Sequence, residues 1–77
     1  MKWNYRVIKY TDSEGTSHFG IHEVYYDAAG RPETYTESTC SPYGESLDEL
    51  ESDLNYMTEA LRLPVLTDDD FNKEKTQ

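Results

Sequence analysis

The order of hydrophobic and polar residues divides the chain into an extended first part and a helical last part. Between Ser46 and Leu63, apolar residues recur at alternating spacings of three and four, which places them on one stripe of a helix. The stripe consists of Leu47, Leu50, Leu54, Met57 and Leu61. Ser46 can cap the first turn while Glu49 reaches back to the backbone N–H of Ser46, and Pro64 disfavours helical geometry in the residue before it. The pattern predicts an amphipathic helix that buries this stripe.

Three runs before the helix have the composition of β-strands. Residues 3–10 (WNYRVIKY) and 18–27 (HFGIHEVYYD) are rich in aromatic and β-branched side chains, and residues 33–40 (ETYTESTC) alternate Thr and Tyr with acids, as an edge strand does. Polar, glycine-containing segments separate the runs and are typical of hairpin turns. The predicted fold class is therefore α+β: a three-stranded antiparallel meander with one C-terminal amphipathic helix packed on one face, in the order βββα.

A period of two sorts the strand side chains into two faces. One face carries Trp3, Tyr5, Val7, Phe19, Ile21 and Tyr25, with Tyr35 available on the third strand. We expect the helix to cover this face. Strict alternation also places Glu23 there, which predicts either a bulge in the second strand or the reverse assignment of the faces.

The opposite face is also apolar, and one helix cannot cover both. An uncovered sheet face with Ile8, Val24 and Tyr26 would be an apolar patch of the kind that marks an interaction surface. Alternatively, Val65 and Leu66 could fold back after the proline and cover part of it. The candidate interface residues are Ile8, Tyr10, His22, Val24 and Tyr26 on the sheet, with Asp48, Glu51, Asp53 and Glu59 on the helix.

Length and charge change this picture in two ways. With 77 residues, the chain forms one domain, expected over residues 1–66, followed by an acidic disordered tail over residues 67–77. The net charge is −9, and from Glu45 onward ten acids face three bases. Such a field repels phosphate backbones and acidic membranes and favours basic protein partners, although it could serve solubility alone. We therefore expect no direct nucleic-acid binding and no membrane binding.

Residues that could carry chemistry do not converge in the sequence. His18 and His22 would lie roughly 13 Å apart in a strand, too far for one metal ion. The acidic run 68–70 lacks the ligand spacing of a calcium loop, and Cys40 has no histidine close by in sequence. We expect no catalytic residue, cofactor or metal. One cysteine, no charged-then-apolar leader and no long apolar run indicate a soluble cytoplasmic protein.

Four segments carry a resemblance to known proteins: WNYRVIKY, GIHEVYYDAAGRP, SPYGESLDELESDL and EALRLPVL. Together they resemble a family of short, uncharacterised bacterial and phage-associated proteins over nearly the whole chain. More loosely, three strands followed by a helix that opens with SLDEL is similar to the HicB-type antitoxin domain. The first resemblance implies no activity.

The function predicted from the sequence is a small, acidic, non-catalytic protein-interaction module, a regulator or inhibitor that docks on a basic protein surface. One alternative is a structural homodimer. Another is a small enzyme or ligand-binding protein that uses tyrosine, His22 and Cys40 in a pocket.

Overall fold

Three strands and one helix form the fold, and the computed structural model describes residues 2–71. The strands are β1 (Lys2–Thr11), β2 (Ser17–Tyr26) and β3 (Pro32–Tyr35), followed by the helix α1 (Leu47–Thr58). β1 pairs antiparallel with β2, and β2 pairs antiparallel with β3, so that β2 is the central strand. The predicted βββα order and the antiparallel meander are confirmed.

The third strand is shorter than predicted. It ends at Tyr35 instead of continuing to Cys40. The chain beyond it still follows the edge of β2, because the Thr36 N–H donates to the Glu23 carbonyl at 3.1 Å and the Cys40 N–H donates to the Ile21 carbonyl at 2.9 Å. The segment that leads to α1 is thus tied to the central strand.

Both hairpin turns use the same arrangement of an aspartate and a glycine. Asp12 and Asp27 each lie three residues before a glycine, Gly15 or Gly30, whose φ angle is 87° or 84°. In each turn the aspartate carboxylate accepts two backbone N–H bonds at 2.9 to 3.0 Å. Aspartate satisfies the turn's amides and glycine adopts the left-handed backbone, so these two residue types define the turns.

The start of α1 follows the predicted cap with one difference. The Ser46 hydroxyl accepts from the Glu49 N–H at 3.2 Å, as expected for an N-cap. The Glu49 carboxylate, however, accepts from the Glu45 N–H at 3.0 Å rather than from that of Ser46. Ser46 is fully extended (φ −143°, ψ 166°), and the glutamate reaches the amide of the residue before it.

After α1 the chain makes one 3-10 turn and then leaves helical geometry. The turn comprises Glu59–Arg62, and Leu63 is extended (φ −104°, ψ 159°) immediately before Pro64. Helical geometry therefore stops before Pro64 as predicted, because a residue before proline is restricted to extended conformations, but the α-helix itself ends earlier, at Thr58.

The helix covers the predicted face of the sheet. Tyr5 and Val7 of β1 are buried with Met57 and Ala60, and Ile21 packs against this cluster. The pairing of β1 with β2 runs without interruption through Glu23, so no bulge is needed to explain that residue.

The prediction that the leucine stripe is buried is wrong. Leu47, Leu54 and Leu61 are 82%, 50% and 70% exposed, and of the five stripe residues only Met57 is buried. The line of contact with the sheet is rotated from the stripe and runs through Asp53 and Met57 of α1 and Ala60 of the following 3-10 turn. Along this line Asp53 accepts a hydrogen bond from the Tyr5 hydroxyl, and the small Ala60 side chain is buried with Tyr5 and Val7.

The opposite face of the sheet is covered by the segment after Pro64. Leu66 forms a parallel bridge with Ile8 at the free edge of β1: its N–H donates to the Val7 carbonyl at 2.9 Å and its carbonyl accepts from Lys9 at 2.8 Å. The Leu66 side chain is buried together with Ile8 and Val24. The expected uncovered face is therefore absent, and the alternative, a return of Val65 and Leu66, is what the structure has.

This cover removes most of the sheet residues from the candidate interface. Ile8 and Val24 are fully buried, His22 is buried, and Tyr26 is half-buried with its hydroxyl hydrogen-bonded to Asn4 at 2.7 Å. Tyr10 alone among the five remains exposed. Side chains enclosed by their own chain cannot form the contact surface that the sequence predicted.

The chain beyond residue 66 is also structured where it is described. Asp68–Phe71 form a 3-10 turn, the Tyr35 hydroxyl donates to the Asp68 carboxylate at 2.6 Å, and the Phe71 and Tyr35 ring centres are 4.7 Å apart. The predicted start of disorder at Thr67 is wrong for residues 67–71, because these contacts pack them on β3. The rest of the predicted tail lies outside the described residues.

Two leucine substitutions test this distribution of burial. We expect Leu66→Ala to lower the free energy of unfolding by about 2 to 5 kcal/mol, since it removes a buried side chain and leaves a cavity. Leu47→Ala, the same change on an exposed helix position, should cost less than about 0.5 kcal/mol. Urea denaturation of both variants gives the comparison, and equal losses would show that the leucine stripe is buried after all.

Because of Tyr35, we expect the free energy of unfolding to fall as the pH rises in the alkaline range. Its hydrogen bond to Asp68, together with burial, raises the pKa of Tyr35 from 10.0 to about 12. The folded state therefore holds this proton more tightly, and the resulting stability is complete below pH 10 and is lost as the pH rises from 10 towards 12. Tyr35→Phe should reduce this fall in urea titrations, whereas Tyr43→Phe, at an exposed tyrosine, should not. An unchanged fall in Tyr35→Phe would contradict the assignment.

Candidate functional site

A cleft of about 930 Å³ lies between the sheet strands β1 and β2, the helix α1 and the segment 40–43. Four aromatic side chains line it: Trp3, Tyr5, Tyr43 and Tyr56. Four acidic side chains line it as well: Glu23, Asp48, Glu49 and Asp53. We refer to it as the aromatic–acidic cleft.

Three of the aromatic rings form a mutual edge-to-face cluster. The ring centres of Trp3 and Tyr5 are 5.3 Å apart, those of Trp3 and Tyr56 are 5.6 Å apart, and those of Tyr5 and Tyr56 are 5.2 Å apart. The period of two places Trp3 and Tyr5 on the helix side of β1, and Tyr56 lies one position before the buried Met57. Trp3 and Tyr56 each remain 40% exposed, so the cluster presents ring surface to the cleft.

Asp53 connects the three parts of the chain that enclose the cleft. Its carboxylate accepts from the Tyr5 hydroxyl on β1 at 3.0 Å and from the backbone N–H of Tyr43 at 2.9 Å. Burial, and next the hydrogen bond to the negative carboxylate, raise the pKa of Tyr5 far above its usual value. Tyr5 therefore stays protonated and donates to the Asp53 carboxylate.

Glu23 forms part of the cleft wall. It is half-buried on the helix side of β2 and accepts a hydrogen bond from the Tyr25 hydroxyl, which raises the pKa of Tyr25. The sheet extends beyond the area that α1 covers, and Glu23 lies in this uncovered part, at the cleft. This explains why an acid occupies the sheet face that otherwise carries the core.

The negative charge of the cleft has no compensating base in its walls. No lysine, arginine or histidine lines it within residues 2–71. The ion pairs in this part of the chain lie in the hairpin turns, where His18 is 2.9 Å from Asp12 and Arg31 is 3.9 Å from Asp27. The contact with His18, followed by that with the Thr16 N–H, lowers the pKa of Asp12. The cleft carboxylates therefore give an uncompensated negative potential.

A second feature lies on the outer side of α1 and of the 3-10 turn that follows it. We call Leu47, Leu50, Leu54 and Leu61 the leucine row; all four are exposed. Glu51 lies four residues after Leu47 and three before Leu54, so it is their neighbour on the helix surface. An apolar row thus runs beside acidic side chains.

The structure separates the acidic residues of the predicted interface. Asp48 and Asp53 line the aromatic–acidic cleft, Glu51 borders the leucine row, and Glu59 is exposed at the start of the 3-10 turn. Sequence reasoning missed the cleft: it assigned Trp3 and Tyr5 to the core, and Tyr5 is indeed buried there, whereas Trp3 is 40% exposed at the cleft. The sequence signal that could have indicated the cleft was Glu23. An acid on the core face indicates that the helix does not cover the sheet at that position.

Of the side chains considered for an enzyme, Cys40 lines the cleft and His22 is buried, with its Nδ1 2.9 Å from the Thr36 carbonyl oxygen. The Thr36 hydroxyl lies between the two side chains, 3.4 Å from His22 Nδ1 and 4.0 Å from Cys40 Sγ. Among residues 2–71, no group of three or more His, Cys, Asp or Glu side chains could hold a metal ion. In the same part of the chain, no helix has the length and apolar character to cross a membrane.

Comparisons with protein-family models, with curated proteins and with solved structures find no match to this chain. The resemblance to short bacterial and phage-associated proteins, and the looser one to HicB-type domains, stay predictions. The aromatic–acidic cleft and the leucine row are therefore the features that bear on function.

Asp53 offers a direct test of how the cleft is built. We expect Asp53→Ala to lower the free energy of unfolding by about 1 to 3 kcal/mol, because it leaves the Tyr5 hydroxyl and the Tyr43 N–H without their charged acceptor. Glu51→Ala removes an exposed charge from the same helix and should have little effect. Thermal unfolding of the two variants provides the measurement, and equal stability would show that the Asp53 bonds do not hold the cleft together.

Proposed function

We propose that this protein is a small, acidic, non-catalytic interaction module that binds a basic protein surface and regulates or inhibits that partner. The observation that carries the proposal is the leucine row, an exposed apolar surface on a helix bordered by acids. The single cysteine fits a reducing compartment, and we place the function in the cytoplasm.

The leucine row supports binding because its exposure is unfavourable without a partner. Leu47 and Leu61 project most of their side chains into water, although the helix also has a buried line of contact with the sheet. Fully burying one leucine is worth about 1.5 to 3 kcal/mol. A contiguous apolar row of this kind is typical of a surface that another protein covers.

The charge around the row supports a basic partner. Glu51 lies beside the leucine row and is exposed, and the chain from Glu45 onward has a large excess of acids. Such a field accelerates the approach of a positively charged protein and repels nucleic acid and acidic membranes. We expect the partner to present apolar side chains flanked by lysine or arginine.

A non-catalytic role is supported by the contacts of the reactive side chains. The Thr36 hydroxyl lies between Cys40 and His22, and among the described residues neither ring nitrogen of His22 has a hydrogen bond to the Cys40 thiol. A binding role needs only the surfaces described above.

One observation favours self-association as a second candidate. Leu47, Leu54 and Leu61 are spaced seven residues apart, which is the spacing of a coiled-coil seam. Pairing two copies of α1 through the leucine row would, however, bring the Glu51 carboxylates of the two copies close to each other. A homodimer should therefore form mainly at high salt, where these charges are screened.

Affinity capture with the full chain tests the proposal. Wild type, Leu47→Ser/Leu54→Ser and the control Phe19→Ser are immobilised and exposed to a lysate of the source organism at low and high salt. We expect wild type and Phe19→Ser to retain the same basic proteins, with loss at high salt and in the double variant. Phe19 is suitable as a control because it is exposed on β2, outside the leucine row.

Purified candidates are then measured by calorimetry, and the oligomeric state of the chain by sedimentation. Direct binding of a basic protein that fails in Leu47→Ser/Leu54→Ser supports the proposal. Retention of the same proteins by the double variant contradicts it. A stable dimer at low salt would favour the structural homodimer.

A further inference from the structure

We infer that the aromatic–acidic cleft binds one guanidinium or alkylammonium group, supplied by an arginine or lysine side chain of the partner. This inference rests on the proposed function for the source of the cation. The cleft itself recognises the cationic group through its own aromatic rings and carboxylates.

The aromatic rings provide one half of the recognition. A cation is attracted to the face of an aromatic ring within about 6 Å of its centre, and tryptophan gives the strongest attraction. Trp3 and Tyr56 both expose part of their rings at the cleft, and Tyr43, which is 69% exposed, lies in the segment at its rim. The edge-to-face packing of Trp3 with Tyr5 and Tyr56 holds the exposed rings in place.

The carboxylates provide the other half. Asp53 is fixed by its two hydrogen bonds to Tyr5 and Tyr43, and a carboxylate has about four acceptor positions, so it retains capacity for a further donor. Asp48 and Glu49 lie beside it in the first turn of α1. The helix N-terminus offsets only about half a positive charge, which is less than these carboxylates carry.

The combination selects a cation over other ligands. An anion would be repelled, because acids and no bases line the cleft within the described residues. A purely apolar group could contact the rings, but it would remove water from Asp53 and Asp48 without replacing their hydrogen bonds. A guanidinium or ammonium group satisfies both the rings and the carboxylates with charge-assisted hydrogen bonds.

The cleft and the leucine row lie on different sides of the same helix. The cleft lies where α1 faces β1, and the row lies on the outer surface. A partner could therefore place one basic side chain in the cleft while its apolar residues cover the row. Two linked contacts would bind more tightly than either alone.

Trp3 is the only tryptophan of the chain, so its fluorescence reports on the cleft. The full chain is titrated with Ac-Gly-Arg-Gly-NH2 at low salt, with its lysine counterpart, and with the citrulline counterpart as a neutral isostere. We expect saturable binding of the arginine peptide, the lysine peptide or both, and affinity at least about tenfold lower for citrulline, since the attraction requires a cation.

Three variants locate the binding site by two-dimensional NMR with the same peptides. Tyr43→Leu and Asp48→Asn should each weaken binding several-fold, while Tyr43→Phe, which keeps the ring, should bind as wild type does. Glu14→Gln, which removes one charge in the first hairpin turn, is the control for net charge and should also bind normally.

Equal affinity for citrulline, no saturable change up to the solubility limit of the peptides, or full binding by Tyr43→Leu and Asp48→Asn would overturn the inference. Failure of the proposed function gives a different result. The peptides have no apolar side chain, so their binding can succeed even if no protein requires the leucine row. Conversely, if a partner that requires the leucine row is found but the peptides do not bind, the proposed function stands and the inference about the cleft fails.

Discussion

The pairing of Leu66 with the free edge of β1 is the contact on which the rest of the structure depends. Its two backbone hydrogen bonds bring the chain around that edge, and its side chain closes the face that carries Ile8 and Val24. Without it, this face and the β1 edge would both be open to water and to other chains. Because the chain covers this face itself, the helix has to cover only the other one. In a domain this small, a few buried side chains therefore account for the whole core.

The position of the helix is also set by the small number of buried side chains. Met57 and Ala60 close the cluster around Tyr5 and Val7, and Asp53 bonds to the Tyr5 hydroxyl. That line of contact lies to one side of the leucines, which are left on the surface. The rotation also places the first turns of α1 over the end of the sheet without filling the space beneath, and this space is the aromatic–acidic cleft. One orientation thus produces both surfaces that we connect with binding.

The sequence predicted the elements well and their burial poorly, for a physical reason. Residue types at turns and caps act locally, so Asp12 with Gly15, Ser46 and Pro64 mark their elements without any knowledge of the fold. A periodic stripe shows only that its leucines share a side of the helix, and it does not show what that side faces. Leu66 is held by its pairing with Ile8, which lies almost sixty residues earlier in the chain, and no local sequence pattern encodes such a contact. In the candidate site, the acids Asp48 and Asp53 followed from charge, whereas Trp3 was assigned to the core, because its exposure depends on where α1 lies.

Solvent accessibility of leucine and isoleucine methyl groups, measured by NMR with a soluble paramagnetic agent, tests this arrangement most directly. The agent should strongly attenuate the methyl signals of Leu47, Leu54 and Leu61 and leave those of Ile8 and Leu66 nearly unchanged. The opposite pattern, with protected helix leucines and attenuated Ile8 and Leu66, would contradict both the cover of the second sheet face and the exposed leucine row.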